Sequence, residues 1–140
     1  MHALVTGGGG FLGSGITKEL IRNGINVTVI GRKKYYHLPP SVKTLQGDIR
    51  DYEFVKKSSI NIDVVFHVAA LAGIWGKKDE FFDINVKGTE NIIKGCQANS
   101  VPKIVFTSSP SVVFGSSCLE GVNESAPYPY KYLCEYPNTK

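Results

Sequence analysis

The chain is poor in the features that mark several protein classes. It has three cysteines, Cys96, Cys118 and Cys134, an odd number with no metal-like spacing. Its histidines, His2, His37 and His67, do not pair with them, so no metal site is expected. Thiols of this kind stay reduced in a cytoplasmic protein, which is the expected location. No apolar run is long enough to cross a bilayer. No signal sequence is expected either, because an apolar strand pattern begins almost at Met1. A strong excess of one charge is lacking, with 16 Lys and Arg against 12 Asp and Glu. The net charge is +4 over 140 residues, and the basic residues fall in short groups: Arg32-Lys33-Lys34, Lys56-Lys57 and Lys77-Lys78. That pattern excludes a nucleic-acid stripe. Repeats and low-complexity segments are absent. What remains is a globular composition, long enough for one domain with a real core.

The most informative stretch is Ala3-Leu-Val-Thr-Gly-Gly-Gly-Gly-Phe-Leu-Gly13. An apolar run stops at a glycine cluster, and an amphipathic segment follows through Ile16, Leu20 and Ile21. This is the strand, turn and helix start of a dinucleotide-binding fold. Gly7 allows the tight turn, Gly10 lets the backbone approach a pyrophosphate, and Gly13 lets the helix pack closely on the sheet. The amides around Phe11 and Leu12 then face the phosphates with the partial positive charge of a helix N-terminus. The spacing is GxxGxxG rather than GxGxxG. A plain flexible turn is the competing reading.

Strand and helix patterns alternate along the chain. Strands are expected at His2–Thr6, Asn26–Ile30, Lys43–Gln46, Ile62–Val68 and Lys103–Thr107. Helices are expected up to Asn23 with Gly24 as C-terminal cap, at Asp51–Ser59, and at Asp79–Ala98. The alternation implies right-handed βαβ units: an α/β Rossmann-type, doubly wound parallel sheet in the order 3-2-1-4-5, covered on both sides.

Four further stretches carry chemistry. At the end of strand two, an NAD site needs a carboxylate for the ribose 2′-OH. Here Gly31 stands there, followed by Arg32 and Lys33, which suit a 2′-phosphate. NADP(H) is therefore expected, with NAD(H) as the alternative. After strand three, Asp48 beside Ile49 is placed to accept from an adenine amino group, unless Asp48 or Asp51 simply caps the next helix. At the end of strand four, Val68, Ala69 and Ala70 leave room for a cofactor across the sheet edge. His67 reads as a packed strand residue rather than a base. Last, Thr107-Ser108-Ser109 lies upstream of Tyr136 and Lys140, which share one face if their segment is helical.

These motifs together, with Asn85-Val-Lys-Gly-Thr89, resemble the extended short-chain dehydrogenase/reductases of the epimerase/dehydratase superfamily. The 3β-hydroxysteroid dehydrogenase-like branch is the most similar. Within it, Ala72-Gly-Ile-Trp-Gly76, Ser108-Ser-Pro-Ser-Val-Val-Phe114 and Glu120-Gly-Val-Asn-Glu-Ser125 resemble the bacterial 2-alkyl-3-oxoalkanoate reductases, with sterol-4-carboxylate dehydrogenases next. The resemblance implies an oxidoreductase passing hydride between a nicotinamide and a ketone or secondary alcohol. It implies Tyr136 as acid/base, Lys140 as the cation that lowers the phenol pKa and binds the nicotinamide ribose, and Ser109 as the carbonyl's hydrogen-bond donor, with Ser108 as the alternative. Thr107 and Asn85 would face the cofactor. A homodimer is allowed.

The chain departs from the pattern at its end. The resemblance implies a longer catalytic helix and a C-terminal substrate domain, so residues 1–140 are expected to be an incomplete dinucleotide-binding domain. A helix ending at Lys140 cannot hold Tyr136 and Lys140 in register. The chain from about Leu119 onward is expected to be poorly fixed, and activity alone to be slight. Trp75 is open between an apolar-substrate loop and a core anchor. A nucleotide-sugar epimerase or dehydratase, and a non-catalytic NADP-binding module, remain alternatives.

Overall fold

The computed structural model of the protein describes residues 1–115 and 120–140. At its centre is a five-stranded sheet in the order β3-β2-β1-β4-β5, all pairs parallel. The strands are β1 (His2–Thr6), β2 (Asn26–Gly31), β3 (Lys43–Gln46), β4 (Val64–His67) and β5 (Ile104–Phe106). Ala3, Leu4 and Val5 of the central strand are wholly buried. Alternate side chains of β1 serve the two faces of the sheet. Leu4 joins Ile30, Val65, Val55, Ile92 and Cys96 in one cluster, while Val5 joins Val27, Val29, Leu38 and Val42 in the other.

Helix α1 (Phe11–Arg22) covers the second cluster with Ile16, Leu20 and Ile21. It stops where Asn23 caps it and Gly24 turns left-handed at φ +70°. Helix α2 (Tyr52–Ser58) covers the first cluster, and the Asp51 carboxylate caps it by accepting from the Phe54 N–H at 3.1 Å. Asp51, not Asp48, is thus the cap. The expected third helix is a continuous run of three parts: α3 (Lys78–Phe81), a π-helical stretch Phe82–Lys87, and α4 (Gly88–Ala98). The π turns shift Ile84 and Asn85 relative to a regular helix.

Cover is incomplete at one edge. Ile104, Val105 and Phe106 of β5 are 38%, 47% and 39% exposed, so the expectation of a sheet buried on both sides fails there. A short 3₁₀ turn (Pro110–Val113) and helix α5 (Glu135–Asn138) complete the described elements. Cys118 and Leu119 lie outside the described residues. Within the stretch from Leu119 onward that was expected to be poorly fixed, the last two residues make specific contacts. Thr139 is buried and bonded to Asn85, and the Lys140 ammonium donates to the Thr107 carbonyl at 2.6 Å. These side-chain anchors fix the segment where helix length could not.

Candidate functional site

The site grows from the turn between β1 and α1. Gly7 takes φ +65°, and the Gly10 N–H donates to the Gly7 carbonyl at 2.9 Å, closing the turn. Gly10 is the N-cap of α1 and offers no side chain to the first-turn N–H groups, which stay free for an anion. A Cβ on Gly13 would run into the Gly7 carbonyl, so helix and turn meet with no side chain between them.

A cleft of about 390 Å³ opens above this turn, at the C-terminal ends of the strands. Gly7, Gly10, Phe11, Leu12 and Gly13 form one wall. Arg32 stands at the end of β2, Asp48 and Ile49 after β3, and Val68, Ala69 and Ala70 after β4. The cleft thus unites eleven of the sixteen expected cofactor residues, while Lys33, Asn85, Thr107, Tyr136 and Lys140 lie outside its lining. Arg50 grips the Asp48 carboxylate through Nε at 3.0 Å and a terminal nitrogen at 2.7 Å. That bond, foremost, holds the Asp48 carboxyl below the usual carboxylate range. Lys33 is exposed and outside the lining.

Asn85 does not face the cleft, and Ile84 lines it instead. The Asn85 amide is 4% exposed and fully occupied. Its oxygen accepts from the Leu71 N–H at 2.8 Å, and its nitrogen donates to the Leu71 carbonyl and the Thr139 hydroxyl, each at 3.0 Å. It ties the loop after β4 to the chain's last turn. His67 is a packed strand residue, as read. Burial, and then the Lys140 charge, push it down to about 4, so its ring is neutral. The Thr6 oxygen accepts from the Val68 and Ala69 N–H groups, leaving its own O–H for His67 Nδ1. The Thr89 O–H goes to the Asn85 carbonyl, so His67 Nε2 carries the proton and donates to Thr89. This relay fixes the backbone that forms the cleft's floor.

The three expected catalytic residues do not meet. Ser109 and Tyr136 line a second, apolar pocket of about 370 Å³ with Ile74, Phe114 and Leu133. Ser109 caps the 3₁₀ turn and shares a 2.7 Å hydroxyl bond with Ser111. Ser108 is not among the lining residues. Lys140 turns away into a separate hollow beside His67 and Thr89, with Nζ 4.4 Å from the Phe106 ring centroid. Burial pulls its pKa down. The shared Tyr–Lys face expected of a helix fails because α5 ends at Asn138. Trp75 is 91% exposed and is no core anchor.

Five lining residues lie outside the expected cofactor set, Ile30, Gly31, Tyr35, Gly47 and Ile84, and two of these had drawn no notice in the sequence. Ile84 lines the cleft through the π turns, which no spacing rule announces. Tyr35 also lines it, with its ring folded over Gly9 and Gly31. Glycine at both of those positions was the available signal.

The arrangement fits a dinucleotide: a glycine cradle that a Cβ would fill, a bare helix N-terminus, and small residues across the sheet edge. No helix among the described residues is long and apolar enough to cross a membrane.

Comparison with known proteins agrees with this geometry. Residues 4–140 match the 3-beta hydroxysteroid dehydrogenase/isomerase family. The chain is 46% identical over 140 residues to the 2-alkyl-3-oxoalkanoate reductase of Shewanella oneidensis, covering 99% of this chain and 36% of that protein. It is 37% identical over 148 residues to a 3 beta-hydroxysteroid dehydrogenase/Delta 5-->4-isomerase of Mycobacterium tuberculosis, covering 99% of this chain and 40% of the relative. It superposes on a Thermus thermophilus UDP-glucose 4-epimerase, solved in complex with NAD, with a TM-score of 0.88 and 30% identity, over 100% of this chain and 47% of that one. The chain therefore spans less than half the length of each.

Proposed function

Because the chain belongs to the 3-beta hydroxysteroid dehydrogenase/isomerase family, within the extended short-chain dehydrogenase/reductases, we propose that it is the cofactor-binding part of an NADP-dependent reductase of apolar ketones. The observation that carries this reading is the cleft itself. It joins a complete glycine cradle to Arg32 at the end of β2, where no carboxylate is present to repel a 2′-phosphate. The nicotinamide, when bound, supplies or accepts the hydride.

The chain's own residues do the rest. The first-turn amides of α1 and the cradle hold the pyrophosphate. Val68, Ala69 and Ala70 let the cofactor lie across the sheet edge. Tyr136 exchanges a proton with the substrate oxygen, and Ser109 donates a hydrogen bond to it from the same pocket. Lys140 assists Tyr136 only after its ammonium leaves the Thr107 carbonyl. The apolar lining by Ile74, Phe114 and Leu133 favours a 3-oxo acid with an alkyl chain or a sterol-like substrate. The relatives are more than twice as long as this chain, and we infer that residues outside these 140 complete that pocket. With Lys140 parked away from Tyr136, the chain by itself turns over slowly.

A second reading, nucleotide-sugar epimerase chemistry, is favoured by the superposition on the epimerase. Titration with NADPH and NADH, followed by assays with a long-chain 3-oxo acid, a 3β-hydroxysteroid and UDP-glucose, separates the two. NADPH binding with keto-acid turnover, lost in Tyr136→Phe, supports the reductase. Turnover of UDP-glucose alone supports the epimerase, and cofactor binding with no turnover in the longer protein supports a non-catalytic module.

A further inference from the structure

The end of β2 holds a second element of cofactor choice that lies outside the Arg32-Lys33 pair. Tyr35 sits four residues beyond Gly31, at the far side of a short basic loop. Its ring is half-buried and packs on the cluster of Val5, Val27, Val29 and Leu38. From there the ring reaches back over the glycine turn. A Cβ placed on Gly9 would collide with the Tyr35 ring, and a Cβ placed on Gly31 would collide with the Tyr35 hydroxyl oxygen. The phenol therefore fills the volume that a side chain at position 31 would need.

That volume has a chemical meaning. At the end of the second strand, an acidic side chain accepts hydrogen bonds from the ribose diol of NAD. Here the place of that carboxylate is taken by a neutral O–H. A phenol can donate to a phosphate oxygen, which a carboxylate cannot. The Gln46 amide donates to the Arg32 carbonyl at 3.1 Å and so tethers the loop that carries the phenol and the guanidinium.

We propose that Tyr35 and Gly31 act as a pair that selects the cofactor's ribose substituent, the Tyr35 hydroxyl donating to the 2′-phosphate while its bulk bars an acidic side chain from position 31. The proposal rests on the cofactor cleft assigned above. It makes position 31 dependent on position 35: an acid at 31 is harmful while the ring is present and useful once the ring is gone.

Fluorescence titration of the protein with NADPH and NADH tests both parts. Tyr35→Phe keeps the packing and removes only the O–H. It is expected to weaken NADPH binding about tenfold and leave NADH unchanged, the effect of one hydrogen bond to a charged group. Gly31→Asp alone is expected to weaken both cofactors, and Gly31→Asp/Tyr35→Ala to bind NADH more tightly than either single variant does. An unchanged NADPH-to-NADH ratio in Tyr35→Phe overturns the proposal while leaving the cleft assignment intact. So does an equal effect of Gly31→Asp with and without the ring. If the unaltered protein binds neither dinucleotide, the cleft assignment fails and the proposal falls with it. Should Gly31→Asp lose its thermal transition, the Tyr35→Phe ratio still decides.

Discussion

Thr6 and His67 stand opposite each other on β1 and β4, and the Thr6 hydroxyl donates to His67 Nδ1 across 2.7 Å. The same hydroxyl oxygen accepts the Val68 and Ala69 N–H groups. One threonine thus couples a buried imidazole to the floor of the cofactor cleft.

Burial of that imidazole makes stability depend on pH. His67 is held down to about 4 by burial, then by Lys140. Above about pH 6.5 the ring is neutral folded and unfolded, and its contribution is complete. As pH falls through that value the unfolded chain takes a proton that the folded ring refuses until about 4. Stability should drop by roughly 3 kcal/mol across this window, because each pKa unit is worth about 1.4 kcal/mol. Urea melts at several pH values between 7 and 4 measure it. The slope should flatten in His67→Phe, and an unchanged slope there would assign the loss to other groups.

Asn85→Ala should destabilise the protein by about 1–3 kcal/mol, since it removes the partner of the part-buried Leu71 N–H and carbonyl and of the buried Thr139 hydroxyl. The last turn should also become cleavable by protease, because the Thr139 anchor goes with it. A melting curve and a limited digest, read together, would expose a merely superficial role.

Two glycines of α1 should respond with opposite sign. Gly13→Ala forces a Cβ into the Gly7 carbonyl and should cost about 1–3 kcal/mol, with loss of dinucleotide binding. At Gly15 a Cβ meets nothing within 4 Å, so Gly15→Ala should stabilise by about 1 kcal/mol through helix propensity. Thermal melts of the two variants check this, and similar shifts for both would show that close packing at Gly13 is unimportant.

Arg32→Ala should weaken NADPH about tenfold to a hundredfold while NADH changes little, as expected for one charge-assisted contact. Equal losses for both cofactors would mean that Arg32 serves the adenosine or the fold rather than the 2′-phosphate.

The sheet order and most of the cleft were legible in the sequence because they follow from local rules. Ala3, Leu4 and Val5 form an unbroken apolar run, and Gly7, Gly10 and Gly13 can be spaced by eye. The rest depends on where long side chains turn after the backbone is set. Lys140 was placed beside Tyr136 by spacing, yet a carbonyl on β5's exit loop captures its ammonium. Asn85 was aimed at the cofactor by resemblance, but the π turns deliver its amide to Leu71 and Thr139. Tyr35 left no periodic trace, since it sits in a loop and its ring reaches the cleft over Gly9 and Gly31, positions that carry no side chain.

The glycine cradle has one more consequence. It is built from main chain alone, with Gly10 as a cap that carries no side chain. Nothing in it can gain or lose a proton near neutral pH. The cradle's main-chain groups therefore offer the same donors at any pH near neutral, while the proposed choice between NADPH and NADH rests on side chains at the rim. Substitution at the rim can retune selectivity without touching the anchor.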